Sequence, residues 1–258
     1  MKLDRPLFTR LSFLLAFFYA FPLCSAQGAD PSAKEYIKRS DDLMRGDTNQ
    51  GIYTMHIKTP NWERTLGLQV YNSGRTRTFI RILSPAKEAG IGTLRIDNEM
   101  WNYLPNVEKT VKIPPSMMLQ PWMGSDFAND DLVKESSIVE DYNHRIVGEK
   151  NLKDKTILKI ELTPEPDAPV IWGKIYRWIR KEDYVPLKEA YYNEKGELIK
   201  TLYYLNEGRV SDRIIPRTWT MKSEVKQGHI TTIRLEKVEY NKPIPNDIYT
   251  LTHLKKIQ

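Results

Sequence analysis

Apolar and polar residues alternate along most of the chain with a period of two residues. In segment 51–58, Tyr53, Met55 and Ile57 alternate with polar side chains, which places them on one face of a β-strand. The alternation continues to the C-terminus, and Gly, Asn and Asp residues between the runs indicate turns. The predicted strands span residues 51–58, 63–72, 75–83, 92–97, 99–104, 109–113, 138–147, 155–162, 174–181, 187–193, 197–206, 214–225 and 229–240.

Strands joined by such short turns are antiparallel neighbours. A twisted sheet of this size curls on itself or splits in two, and a curled sheet has an interior. The sequence contains no repeat or linker that would divide it, so residues 27–258 are predicted to form one mainly β domain. An outer-membrane barrel is the alternative architecture. The charged strands at 174–181 and 222–226 disfavour it, because such a barrel needs apolar residues facing the lipid.

One short helix is predicted before the strands. Asp30 is placed to cap it, Pro31 suits its first position, and Gly46 is placed to end it. The residues that recur at helical spacing are Tyr36, Ile37, Ser40, Leu43 and Met44.

The segment 113–132 interrupts the series of strands. Pro114, Pro115 and Pro121 exclude a central strand there, so we predict a loop or short helical turns that lie over another part of the protein. Flexible methionine side chains suit a surface that adapts to several acyl shapes. The candidate ligand-binding residues of this segment are Met117, Met118, Leu119, Trp122, Met123 and Phe127. The alternative is that they fill the protein's own core.

Three aromatic residues outside this segment are further candidates for an apolar site. Trp101 and Tyr103 lie two positions apart on one predicted strand and share a face, and Trp62 stands beside a turn. Buried aromatic residues also dominate the cores of β-proteins, so a purely structural role for all three stays open.

The N-terminus has the pattern of a secretory signal peptide. Lys2, Arg5 and Arg10 precede an apolar run at 11–23, which is followed by the small residues Cys24, Ser25 and Ala26. We predict cleavage after Ala26 and export to the periplasm. Acylation of Cys24 would instead anchor the chain, but Leu23 stands where that signal has a small residue.

Composition excludes several kinds of chemistry. Cys24 is the one cysteine and lies in the predicted signal peptide, so the processed chain has no thiol for a disulfide, a nucleophile or a metal site. The histidines are dispersed without metal-ligand spacing. Ser125 lacks the glycine two residues later that a nucleophile elbow requires. We therefore predict no enzyme activity, no cofactor and no metal site.

The charge of the chain is mildly basic. Its formal net charge is +6, which falls to about +4 without residues 1–26. The Lys and Arg residues are interleaved with Asp and Glu along the sequence. This distribution is typical of a solvated surface and disfavours nucleic acid as a partner.

An ordered series of motifs resembles the outer-membrane lipoprotein-sorting proteins of the LolA-like superfamily. The motifs are SPAKEAG at 84–90, TLRI at 93–96, MWNYLP at 100–105, WMGSDF at 122–127 and DDL at 130–132. The resemblance implies an incomplete, curled antiparallel β-barrel around a hydrophobic cavity, with a lid of helices and loops. It also implies a periplasmic carrier or chaperone that binds acyl chains and serves lipoprotein sorting to the outer membrane.

The resemblance also implies the kind of partner. The ligand would be a lipid or a lipid-modified protein, with an inner-membrane transporter as donor and an outer-membrane acceptor. The alternative function is a periplasmic sensor or accessory binding module for an envelope membrane-protein partner such as an exporter.

Overall fold

The computed structural model describes residues 30–134, 138–168 and 170–256. The predicted signal peptide, Cys24 and the predicted cleavage site after Ala26 lie outside the described residues. Among the helices that are described, none has both the length and the apolar character needed to cross a membrane.

Helix α1, Ala33–Arg45, precedes the strands as predicted. The side chain of Ser32 caps it by accepting a hydrogen bond from the Glu35 backbone N–H at 3.2 Å. The prediction of Asp30 as the cap was wrong, because the Ser-x-x-Glu spacing favours a cap two residues later. Gly46 ends the helix with a φ of +63°, where its N–H bonds to the Asp42 carbonyl oxygen.

In the part of the chain that the structure describes, thirteen strands follow, all in one antiparallel sheet. They are β1 Thr48–Lys58, β2 Glu63–Ser73, β3 Arg77–Ser84, β4 Gly92–Ile96, β5 Glu99–Leu104, β6 Lys109–Lys112, β7 Tyr142–Leu152, β8 Lys155–Pro164, β9 Lys174–Arg180, β10 Pro186–Tyr192, β11 Leu198–Val210, β12 Arg213–Ser223 and β13 Ile230–Tyr240.

One predicted turn is wrong. The strand predicted at 197–206 was expected to end in a turn at Asn206, Glu207 and Gly208, but β11 continues through these residues to Val210. Asn206 has a φ of +56°, and the pairing with β12 passes from Leu205 directly to Glu207. Asn tolerates this left-handed conformation, so the strand continues through it with its register to β12 unbroken instead of turning.

The sheet order shows how the chain is arranged around its interior. The order is β6-β5-β4-β3-β2-β1-β13-β12-β11-β10-β9-β8-β7. The first and last strands therefore pair in the middle, while β6 and β7 form the two edges. The sheet is curled and does not close into a barrel, as the LolA-like resemblance predicted.

The segment between the two edge strands, residues 113–141, is called the crossover below. Its described residues include the short 3₁₀ turns Pro115–Met117 and Trp122–Gly124 and helix α2, Asn129–Lys134. Trp122 packs into the core formed by β1–β3 and β13, and Phe127 packs against Leu202 and Met221. The crossover thus covers the inner face of the sheet, and the prediction of a non-strand covering segment is confirmed.

The opposite, outer face of the sheet has a separate small core. Phe79, Leu94 and Tyr103 pack there against the C-terminal segment. That segment consists of the 3₁₀ turn Asn246–Tyr249 and helix α3, Leu251–Lys255. The sheet is therefore covered on both faces in its first half.

Candidate functional site

A cavity with a volume of about 180 Å³ lies between the inner face of the sheet and the elements that cover it. Its apolar wall includes Leu68 and Ile80 from the first half of the sheet and Leu202 and Trp219 from the second. Helix α1 contributes Met44 to the same wall. Both halves of the chain and the N-terminal helix thus enclose one space.

The crossover forms the cover of this cavity. Trp122, Phe127 and Leu132 contact it from the crossover side. The indole nitrogen of Trp122 donates a hydrogen bond to Thr93 Oγ1 on β4 at 3.1 Å. At the other end of the turn, Asp126 accepts a hydrogen bond from Thr231 Oγ1 on β13 at 2.8 Å. The cover is therefore tied to both halves of the sheet.

A buried polar group interrupts the apolar wall on β9 and β10. The Nε atom of Arg177 lies 3.0 Å from Oε1 of Glu189. Glu189 also accepts hydrogen bonds from the hydroxyl of Tyr191 and from that of Tyr204 at 3.0 Å. All four residues line the cavity.

The protonation states of this group follow from its surroundings. Burial opposes the positive charge of Arg177, but the Glu189 carboxylate together with Tyr204, Asp41 and Tyr191 outweighs burial, and the pKa of Arg177 is raised. Burial, assisted by Glu189, raises the pKa of Tyr191 well above its ordinary value. Arg177 is therefore a cation and Tyr191 a neutral hydrogen-bond donor at neutral pH.

Two further ion pairs lie at the margin of the cavity. Lys200 pairs with Asp131 of the crossover and lies 4.8 Å from the ring centre of Trp172. Asp41 of α1 pairs with Arg75. Asp41 also lies 3.6 Å from Arg45 across one helical turn. The crossover and α1 are thus each fastened to another element by a buried carboxylate.

The predicted ligand-binding residues do not all meet at the cavity. Trp122 and Phe127 line it. Met118 and Met123 are half-buried and pack against the inner core. Met117 and Leu119 are 44% and 60% exposed and lie on the solvent side of the crossover.

The three aromatic candidates lie elsewhere. Trp101 and Tyr103 share a face, as predicted, but it is the outer face, where they pack in the separate small core. Thr93, which accepts the hydrogen bond from Trp122, lies on the inner face and pairs with Asn102. Trp101 and Tyr103 flank Asn102 in the strand, so they point away from the cavity. Trp62 is partly exposed beside Arg64 and lines a shallow surface depression with Met123.

The Gly-Ser-Asp sequence in the crossover serves a structural role. Ser125 is buried, and its hydroxyl donates to the Trp122 carbonyl oxygen at 2.7 Å and accepts from the Phe127 N–H at 3.1 Å. These bonds hold the turn that carries Trp122. Among the residues that the structure describes, no group of three or more His, Cys, Asp and Glu side chains has the arrangement of a metal site.

Arg177 was missed as a candidate because the charges of its strand were considered only as an argument against a lipid-facing barrel. On β9, Ile175, Arg177 and Ile179 are buried and alternate with partly exposed residues. A cation flanked by isoleucines on the apolar face of a strand is the signal that could have identified it. Glu189 is likewise buried on β10, opposite Arg177 in the pairing and on the same face as Tyr191.

The chain matches the model of a family described as uncharacterized proteins over residues 74–256, which is more than half of its length. A comparison with curated protein sequences gave no match.

Several solved structures share this fold. A DUF1329 family protein from Desulfovibrio piger superposes with a TM-score of 0.79 at 20% identity, covering 86% of this chain and 97% of that one. A domain from Vibrio parahaemolyticus described as an outer membrane lipoprotein-sorting protein gives 0.77 at 21% identity, with 87% and 98% covered. A LolA superfamily protein from Nitrosomonas europaea gives 0.74 at 21% identity, with 86% and 99% covered.

Proposed function

We propose that this chain, which belongs to the family whose model matches residues 74–256 and is similar in fold to a LolA superfamily protein and a lipoprotein-sorting domain, is a periplasmic carrier or chaperone for a lipid or a lipid-modified protein. The acyl chain of the cargo occupies the cavity beneath the crossover. The observation that carries this proposal is a mainly apolar cavity between a curled sheet and a cover made of short turns. Apolar ligands bind in such partly enclosed spaces by removing their surface from water.

The size of the cavity bears on how cargo enters. An apolar cavity of roughly 150 Å³ holds a molecule as small as benzene, so 180 Å³ accommodates only part of an acyl chain. A full chain requires the crossover to move away from the sheet. The bonds that tie the crossover to the sheet, such as those of Trp122, Asp126 and Asp131, have to open for this movement.

The compartment and the partners are part of the same proposal. The N-terminal pattern supports export with cleavage after Ala26, and amino-terminal sequencing of the exported protein tests it. A carrier also needs a donor and an acceptor, which we propose to be an inner-membrane transporter and an outer-membrane component. We propose binding without catalysis, since the Ser125 hydroxyl is engaged by the backbone of its own turn.

Ligand binding is tested by filling the cavity. Ile233→Trp adds volume at a half-buried position of the lining, and Ile214→Trp makes the same change at an exposed position. The protein is stripped of lipid and titrated with a fluorescent fatty acid, and native mass spectrometry is used to identify lipid that co-purifies. We expect the wild type and Ile214→Trp to bind alike and Ile233→Trp to bind at least about tenfold more weakly.

Two results would contradict the proposal. The first is a wild-type protein that is empty after purification and does not bind the fatty acid. The second is equal binding by Ile233→Trp when its thermal unfolding shows that it is folded, because the ligand would then lie outside the cavity.

A further inference from the structure

Arg177 is a charged side chain in the interior of the protein. Its side chain is only 4% exposed, and it lies between Ile175 and Ile179 on the inner face of β9. It is also part of the cavity wall. A guanidinium removed from water in this way requires hydrogen-bond acceptors for its N–H groups.

Those acceptors are incomplete. Glu189 Oε1 lies 3.0 Å from Nε and supplies the opposite charge, but both oxygens of Glu189 are shared with tyrosine hydroxyls. Among the described residues, Nε and Nη1 of Arg177 are both buried without a hydrogen-bond partner: the contact of Nε with Glu189 is an ion pair without hydrogen-bond geometry, and Nη1 has no acceptor. A buried donor without an acceptor is costly, and such groups are rare in folded proteins unless a ligand or an ion completes them.

The charges around the cavity indicate which acceptor fits. The lining contains the cations Arg45 and Arg177. Its carboxylates are Asp41, Asp130, Asp131 and Glu189. Two further cations outside the lining pair with these carboxylates: Arg75 with Asp41, and Lys200 with Asp131. The positive and negative charges around the cavity are therefore already equal in number. An additional anion would be unfavourable, whereas an uncharged oxygen acceptor adds no charge.

We propose that Arg177 Nη1 donates a hydrogen bond to the carbonyl oxygen of an acyl ester or amide, and so fixes the polar end of an acyl chain inside the cavity. The inference rests on the proposed function and deepens it, because it assigns the carbonyl group a specific partner. The apolar wall then holds the hydrocarbon, and Arg177 distinguishes an acyl compound from a plain alkyl chain. Glu189, Tyr191 and Tyr204 position the guanidinium.

The test compares two probes that differ at one group, methyl laurate and dodecyl methyl ether. Both have the same chain and no charge, but only the ester has a carbonyl oxygen. Binding to the full processed protein is measured by competition against a fluorescent fatty acid. We expect the wild type to prefer the ester by about tenfold, the lower end of what one hydrogen bond to a charged donor contributes. N-methyl lauramide, an amide, is expected to bind like the ester, and laurate no more tightly than the ester.

Arg177→Met keeps an unbranched apolar side chain and removes the donors. We expect it to lower the ester-to-ether preference to less than about twofold, with little change in affinity for the ether. Arg177→Met/Glu189→Gln gives the same readout without an unpaired buried carboxylate. The matched control is Arg180→Met on the same strand, whose arginine pairs with Asp183 and Glu207 and should keep the preference of the wild type.

The outcomes separate the two proposals. If the wild type binds ester and ether equally, or if the folded double variant keeps the preference, the role of Arg177 is overturned while the acyl-binding function stands. A laurate affinity well above that of the ester would also overturn it, in favour of an anion site. If neither probe nor fatty acid binds the wild type, the proposed function itself fails.

Discussion

The indole nitrogen of Trp122 and the hydroxyl oxygen of Thr93 are 3.1 Å apart, and this hydrogen bond joins the crossover to the inner face of β4. Both residues are buried. The Thr93 hydroxyl in turn donates a hydrogen bond to Asn102 Oδ1 on β5 at 2.7 Å. The cover of the cavity is thus linked by polar bonds to the strands near one edge of the sheet.

Replacing this tryptophan tests how much the link contributes. Trp122→Phe removes the N–H and part of the ring, so we expect the free energy of unfolding to fall by about 2 kcal/mol. Urea denaturation measures it. Trp62→Phe is the control at a partly exposed tryptophan and should change stability by less than about 0.5 kcal/mol. Equal losses in the two variants would show that the crossover is not held through Trp122.

Gly51 lies where the first and last strands pair. A Cβ atom at this position would be 2.2 Å from the Lys237 carbonyl oxygen and 2.8 Å from Val238 Cα. Because both atoms belong to the backbone of β13, the strands would have to separate. We expect Gly51→Ala to lower the free energy of unfolding by more than about 2 kcal/mol.

A second strand glycine provides the control for that substitution. At Gly148 the nearest atom to an added Cβ is Lys159 Cβ at 3.6 Å, an ordinary contact. Gly148→Ala is therefore expected to be neutral within about 0.5 kcal/mol in the same denaturation experiment. A similar effect of both substitutions would contradict a tight β1–β13 contact.

The ion pair of Lys200 and Asp131 gives a third prediction. Both side chains are largely buried, so Lys200→Met leaves a carboxylate without its cation. We expect it to lower the free energy of unfolding by about 3 kcal/mol. Lys222 lies on the neighbouring strand β12 and forms a more exposed pair with Glu224, two residues later. Lys222→Met should therefore lower the free energy of unfolding by less than about 1 kcal/mol. Thermal and urea unfolding of the two variants provide the comparison, and equal costs would refute the buried pair.

Glu161 gives a prediction for the dependence of stability on pH. A hydrogen bond from Arg145, with others from Tyr176 and Lys174, lowers the pKa of Glu161 from 4.5 to about 2. The unfolded chain therefore binds the proton more readily. The stabilisation is fully present above pH 4.5 and is lost as the pH falls towards 2.

The matching variant is Glu161→Gln. Since the Arg145 side chain is 74% exposed, we expect the contribution at neutral pH to be about 1 kcal/mol. The variant should lose this amount at pH 7 and show a flatter profile between pH 5 and 2 when unfolding is followed across pH. Glu194→Gln, in an exposed turn, should follow the wild-type profile. An unchanged slope in Glu161→Gln would contradict the assignment.

The strands could be predicted from the sequence because alternation is a local property. Residues such as Tyr53, Met55 and Ile57 show which side chains share a face without reference to any partner strand. The prolines of the crossover were equally informative, since they exclude sheet hydrogen bonding wherever the segment lies.

The identity of the inner face could not be predicted in the same way. Whether Trp101 or its neighbour Asn102 faces the cavity depends on the direction in which the whole sheet curls, and this is decided by contacts between distant parts of the chain. The pairing of Arg177 with Glu189 depends in turn on the register of two strands. The sequence therefore predicted the cover of the cavity better than its wall.

The sheet order also has a consequence for how the protein assembles. In the described part of the chain, each pair of adjacent strands joins neighbours in sequence, except the contact between β1 and β13. The fold is therefore two meanders that meet along one seam, where residues almost two hundred positions apart have to find each other, for example Asn49 and Tyr240. Loop closure over that length is the slow event for such a topology. Two fragments separated within the crossover would each retain a complete meander, and their reassembly along the seam would restore the cavity that neither half can form alone.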